Sequence, residues 1–172
     1  GLKWKFAPKQ TLSFGYGLHG QMQILPLYMV ATQIGGNTVN TNKNLKFSKS
    51  NQLVMGYNLL VSSNTALKAE VYYQQLFDIP ITRSNKSSSY SAVNEGMSYL
   101  FSDKDSLVNS GTGRNYGLEL TFERFFSRGY YYLITTSLYD SKYKGSDGVL
   151  RNTAFNGRYV LNVLAGKEFK IN

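Results

Sequence analysis

Cysteine is absent from the chain, which removes disulfide frameworks, thiolate nucleophiles and thiol metal sites together. Passage through an oxidising periplasm is compatible with that absence. Histidine occurs once, at His19, so a multi-histidine metal site is excluded and no Ser-His pair stands out. No stretch approaches the roughly 18 consecutive apolar residues of a transmembrane helix. The first residues also lack the basic-then-apolar pattern of a signal peptide. Acidic residues number 10 against 19 Lys and Arg, a formal charge of +9. Such a balance invites nucleic acid, but the cations are scattered through turns, strand ends and loops rather than gathered on a helix or groove. Nucleic acid is therefore not an expected partner. Lys3, Lys5, Lys9, Arg124, Arg128, Lys167 and Lys170 read as one basic rim or as part of a polar face, suited to anionic lipid head groups.

What the chain has in quantity is aromatic: 14 Tyr, 10 Phe and one Trp, 15% of 172 residues. Membrane barrels use such side chains as girdles where lipid meets water. Around residues 51–76 the pattern is plainest. Leu53, Met55, Tyr57, Leu59 and Val61 fall on one face against Gln52, Gly56 and Asn58, with Val54 and Leu60 as apolar exceptions. After the polar turn Ser62-Ser63-Asn64-Thr65, Leu67, Ala69, Val71 and Tyr73 alternate with Lys68, Glu70, Tyr72 and Gln74. Period-two alternation marks a strand between two environments. Strands of soluble sheets average about five or six residues, whereas roughly nine to eleven cross a bilayer when tilted. These runs have the second length.

The same alternation recurs along the chain. Leu2, Trp4 and Phe6 alternate with lysines, and Leu12, Phe14, Tyr16 and Leu18 with Ser13, Gly15, Gly17 and His19. Tyr116, Leu118, Leu120 and Phe122 alternate with Gly117, Glu119, Thr121 and Glu123. Beyond a turn at Ser127-Arg128-Gly129, Tyr132, Ile134, Thr136 and Leu138 share a face, as do Tyr159, Leu161, Val163 and Ala165. Between them, residues 23–49, 78–113 and 143–155 read as long polar loops, so the connections run short, long, short, long, short, long. Transmembrane barrels have this asymmetry, and loops beyond about 15 residues are uncommon in compact soluble domains. An inner face carrying Asn58, Lys68, Glu70, Glu119 and Glu123 is wrong for a packed core but fits a wet or plugged lumen. The expected fold is all-β: about seven antiparallel up-and-down transmembrane β-barrel strands, a single barrel segment over residues 1–172.

The stretch LKFSKSNQLVMGYNLLVSSNTALKAEVYYQQLFDIPI resembles the TonB-dependent outer-membrane receptors of the Bacteroidetes type. The Ser-Asn-Gln entry, the Gly-Tyr and the Leu-Lys-Ala-Glu-Val-Tyr-Tyr strand leading into Asp-Ile-Pro carry the likeness. LSFGYGLH from Leu12, GLELTFE from Gly117 and SLYDSKYK from Ser137 are similar. The resemblance implies a larger barrel of about 22 strands with a plugged lumen. It further implies outer-membrane localisation and energy-coupled uptake of a small nutrient such as a siderophore or glycan. Neither a plug domain nor a TonB box is visible, and the chain does not end in the terminal aromatic that marks a last barrel strand. The expectation is a middle-to-late piece of a receptor, reaching TonB through a segment absent from this chain. Such a piece has two open edges and could pair edge to edge into oligomers.

Candidate sites each have a plainer reading. Arg83, Tyr90, Tyr99, Phe101 and Arg114 lie in or beside the second long loop. Arg and aromatic side chains anchor ligands well, yet they line any barrel mouth. His19 reads as a polar lumen or rim residue before it reads as a ligand contact. Asp103-Lys104-Asp105 begins like a calcium loop, but the fifth and sixth positions are Leu107 and Val108, where an EF-hand needs Asp or Asn and then Gly. The inward glycines Gly15, Gly17, Gly56 and Gly117 make room or curvature, since no helix follows them to form a phosphate cradle. No catalytic residue, metal site or cofactor is expected. The alternative to energy-coupled transport is a passive barrel or surface adhesin that binds a partner through its long loops.

Overall fold

A computed structural model describes residues 1–83, 87–97 and 104–169. Seven antiparallel strands form one meandering sheet: β1 (Leu2–Ala7), β2 (Gln10–Gln21), β5 (Ser48–Ser62), β6 (Thr65–Thr82), β7 (Leu107–Ser127), β8 (Tyr130–Lys144) and β10 (Tyr159–Lys167). A short strand, β9 (Leu150–Asn152), pairs with Lys142, Tyr143 and Lys144 of β8, continuing the edge that β10 occupies further down. A separate hairpin, β3 (Ala31–Ile34) and β4 (Asn37–Asn40), stands between β2 and β5 after one helical turn, α1 (Leu25–Tyr28). A 3-10 helix spans Ala92–Met97.

The register carries the alternation of the sequence across the whole sheet. One row runs Phe14, Met55, Val71, Leu118, Leu138 and Tyr159, each opposite the next. The neighbouring row runs Leu12, Tyr57, Ala69, Leu120, Thr136 and Leu161. Both rows belong to one face. Because a one-residue slip would turn every side chain over, six strands agreeing in phase is a strong constraint on register.

At one end the strands are joined by tight turns: Ser62 pairs with Thr65, and Ser127 with Tyr130. Arg128 and Gly129 both have positive φ, 56° and 82°, as the two-residue turn that matches strand twist requires. At the other end lie all the long connections. They differ from the expected loops. Residues 23–49 hold α1 and the β3–β4 hairpin. Residues 78–113 lose both flanks to strand, since β6 reaches Thr82 and β7 begins at Leu107. Residues 143–155 begin inside β8 and contain β9. The cause at β6 is a bulge: the register shifts between Leu76 and Ile79 and again at Pro80, and Asp78 has φ 56°. A bulge breaks period-two alternation and admits a proline into the strand, so the sequence reads as loop where the backbone is still paired.

The core is small and sits at the long-loop end. Its buried hydrophobic side chains are Leu27, Ile79, Ile81, Leu107 and Tyr143. Along the strand middles Met55, Val71, Leu161 and Val163 are exposed, the last at 65%. No second layer covers that face among the described residues, as expected where lipid is the covering medium.

Candidate functional site at the long-loop end

The face opposite the apolar rows is polar, and its charges are partly paired. Glu70 stands opposite Glu119 in the β6–β7 register, a repulsion that the Lys68–Glu70 ion pair offsets. Two glycines make space there. A Cβ at Gly56 would lie 2.5 Å from Ser13 Oγ, and one at Gly117 would lie 2.8 Å from the Tyr72 hydroxyl. Both inward glycines therefore act as room for neighbouring side chains. Gly17 does the same for the His19 ring, whose Nε2 a Cβ would approach to 2.5 Å.

Toward the long loops a hydrogen-bond ladder crosses four strands. Gln74 Nε2 donates to Ser50 Oγ at 3.3 Å, Asn115 Nδ2 to Gln74 Oε1 at 2.7 Å, and Ser141 Oγ to Asn115 Oδ1 at 2.7 Å. Thr153 Oγ1 donates to Ser141 Oγ at 2.8 Å, bringing the third loop onto the ladder. Beside it opens a cavity of about 510 Å³. His19, Gln52, Gln74 and Ser50 form its strand side, Gln23 and Leu27 come from the first loop, and Val93 and Glu95 from the 3-10 helix. Gln23 is fixed by donating to Ser48 Oγ at 2.7 Å. Amides and hydroxyls next to Leu76, Ile79 and Phe155 suit a ligand with both hydrogen-bonding and apolar parts. Among the described residues no group of His, Asp and Glu is placed to hold a metal.

The loops that roof this cavity are tied to each other by two asparagines. Asn42 is fully buried. Its Nδ2 donates to Leu27 O at 3.0 Å and Lys104 O at 2.8 Å, while its Oδ1 accepts from the Leu107 amide at 3.0 Å. Asn109 donates to Asp78 O and Lys46 O, and accepts from the Lys46 amide. Thr32 adds a bond to Asp105 Oδ2 at 3.0 Å, which gives that aspartate a loop-bracing role. Ser146 joins the second and third loops through Thr82 and the Ser88 amide. In the third loop Asp147 and Arg151 form a two-pronged ion pair, both contacts at 2.8 Å. Arg151 and the Val149 amide hold the Asp147 carboxyl below its ordinary range, and Asp147 in turn raises the Arg151 guanidinium.

The residues expected to meet a ligand are not gathered here. Arg83 is exposed at the end of β6 and donates to Ser106 O at 3.3 Å. Tyr90 lies in the second loop, its amide donating to Ser88 Oγ. Arg114 belongs to β7 rather than to a loop, opposite Gln75 and Lys142 and in phase with Tyr116 and Leu118, so it lies on the apolar face. Tyr99 and Phe101 lie outside the described residues. The cavity is made instead by residues that the alternation placed on the polar face, Gln52 and Gln74 among them, and by loop residues that no local pattern singled out. Asn42 had no signal at all, since a buried asparagine and a solvated one look alike in sequence.

Residues 1–165 match the family described as TonB dependent receptor-like, beta-barrel. No curated protein matches the chain.

Proposed function

Since the chain belongs to the TonB-dependent receptor-like β-barrel family, outer-membrane nutrient-uptake transporters rather than enzymes, we propose that it forms wall and mouth of a receptor of the Bacteroidetes type that imports a small nutrient by energy-coupled transport. In this reading the apolar rows face outer-membrane lipid, the polar face lines the lumen, and the long loops are extracellular. Further strands join β1 and β10, whose outer edges would otherwise present unpaired backbone groups to lipid and drive edge-to-edge oligomers of the isolated segment. The plug and the TonB-contacting segment come from outside residues 1–172.

The observation that carries the reading is the cavity between His19, Gln52, Gln74 and Glu95, on the lumen side and roofed by loops braced through Asn42 and Asn109. Arg83 and Tyr90 then lie beside the loops at the approach to it. The test uses cells whose growth on a limiting nutrient depends on the full natural protein. Loss of TonB should abolish that growth, and Gln52→Trp, which fills the cavity, should lower uptake about tenfold, the effect of losing one or two good contacts. Growth that survives loss of TonB would assign the protein to the passive-barrel or adhesin alternative.

A further inference from the structure

The outward face carries a feature that bulk lipid does not explain. Tyr16, Tyr73 and Tyr116 stand at its long-loop end, 60%, 45% and 43% exposed, where an aromatic girdle belongs. One step further out, Arg114 of β7 and Lys142 of β8 are direct cross-strand partners. Their Cβ atoms are then about 4.5–5.5 Å apart, a separation at which like charges destabilise a sheet unless an anion bridges them. Lys142 is partly offset by Asp140, 3.2 Å away. Arg114 is exposed and has no hydrogen-bond or ion-pair partner among the described residues. Lys144, in phase with both and also exposed, extends the positive patch outward.

Directly inside this pair, toward the middle of the strands, lies a groove of about 420 Å³ lined by Val71, Tyr116, Leu118 and Leu138, with Gly117 between them and the Asp140 that pairs with Lys142 at its outer end. Cations above a tyrosine girdle, and beneath it a groove whose inner part is apolar, are the two halves of an amphiphile's imprint. An ion pair with phosphate is strongest from a planar guanidinium, which Arg114 supplies.

We propose that the outward wall of β6, β7 and β8 is a specific site for one phosphate-bearing membrane lipid, its phosphate held by Arg114 and Lys142 and an acyl chain laid in the groove over Gly117. The site rests on the outward face meeting lipid and is independent of which nutrient, if any, the receptor carries. It assigns Arg114 to the membrane rather than to the lumen.

Native mass spectrometry of the full natural protein in detergent tests this, with phosphatidylglycerol as the probe. A single-lipid adduct is expected to survive collisional activation. Diacylglycerol of the same chains should give about tenfold less, as should the double variant Arg114→Gln with Lys142→Gln, because each loses charge-assisted hydrogen bonds. Leu138→Trp fills the groove while keeping both cations, and should also lose the adduct. Lys3→Gln with Lys5→Gln makes the same charge change on the opposite face and should retain it. Inorganic phosphate at millimolar concentration should not displace the lipid. Displacement by free phosphate, equal binding of diacylglycerol, or an adduct undiminished in both the double variant and Leu138→Trp would overturn the proposal. So would equal loss in the Lys3 and Lys5 control.

Discussion

Asn42 concentrates, in one side chain, the bonds that hold the loops over the cavity. Of its three partners, Leu27 O, Lys104 O and the Leu107 amide, the first and last belong to buried residues, and Asn42 itself is 0% exposed. Truncation would leave two buried polar groups, Leu27 O and the Leu107 amide, unmatched, each costing about 1–3 kcal/mol. Asn42→Ala is therefore expected to weaken the loop assembly by about 2–4 kcal/mol while leaving the strand middles intact. Hydrogen exchange at the Leu107 amide reads this locally and should accelerate by a factor of about 30 or more. An unchanged rate would mean that the loops are held by their apolar contacts instead. Asp at the same position keeps the acceptor for Leu107 but loses both donors, so its effect should fall between those of Asn and Ala.

At the scale of the element, each long strand is a ruler across the membrane. Along β7 the outward face reads Arg114, Tyr116, Leu118, Leu120, Phe122 and Arg124. At the rise of a strand tilted by about 40°, Arg114 and Arg124 stand roughly 25 Å apart, the height of a barrel's apolar band. Aromatic contacts mark the short-turn side: Phe122 lies 5.3 Å from Tyr132, and Arg124 sits over the Tyr130 ring at 4.3 Å. Leu120 falls near the middle. Leu120→Arg should cost about 2–4 kcal/mol in the assembled barrel, the midplane value for a lipid-facing cation. Thr121→Arg, one residue on and facing Lys68 across the polar side, should cost much less. Urea titration of the protein reconstituted in lipid compares the two, and equal losses would contradict the assignment of faces.

The whole molecule has two unlike ends. One is closed by turns of two residues at Pro8-Lys9, Ser63-Asn64 and Arg128-Gly129. The other carries a braced assembly of loops with the chain's buried apolar core. If the loops face outward from the cell, protease added to intact cells should cut within 145–158, where Val149, Leu150 and Phe155 are exposed, and spare 62–65. Cleavage at the short turns with protection of the loops would reverse the orientation. The bracing between the first and second loops also predicts slower cutting in 22–47, because Asn42 and Asn109 tie that segment down.

Sequence alone determined the sheet, because every strand that meets two environments must write them in period two, and Leu53, Leu67, Leu120 and Leu161 carry that phase without help from distant residues. It likewise determined the turn at Arg128-Gly129, where two positive φ values are a local requirement, and the asymmetry of the connections. The tertiary structure decided the rest. Bulged pairing at Asp78 and Ile79 kept the chain in strand where its alternation had already failed. The meeting of Gln74 with Asn115 and Ser141 depended on the register of three strands, since each polar side chain is by itself compatible with water. Arg114 looked like a loop residue because Gly113 and Asn115 flank it, and only pairing with Lys142 set it on the lipid side. Asn42 shows the limit most plainly: its three hydrogen bonds reach residues up to 65 positions away, and a partnership at that separation leaves no trace in the composition of either segment.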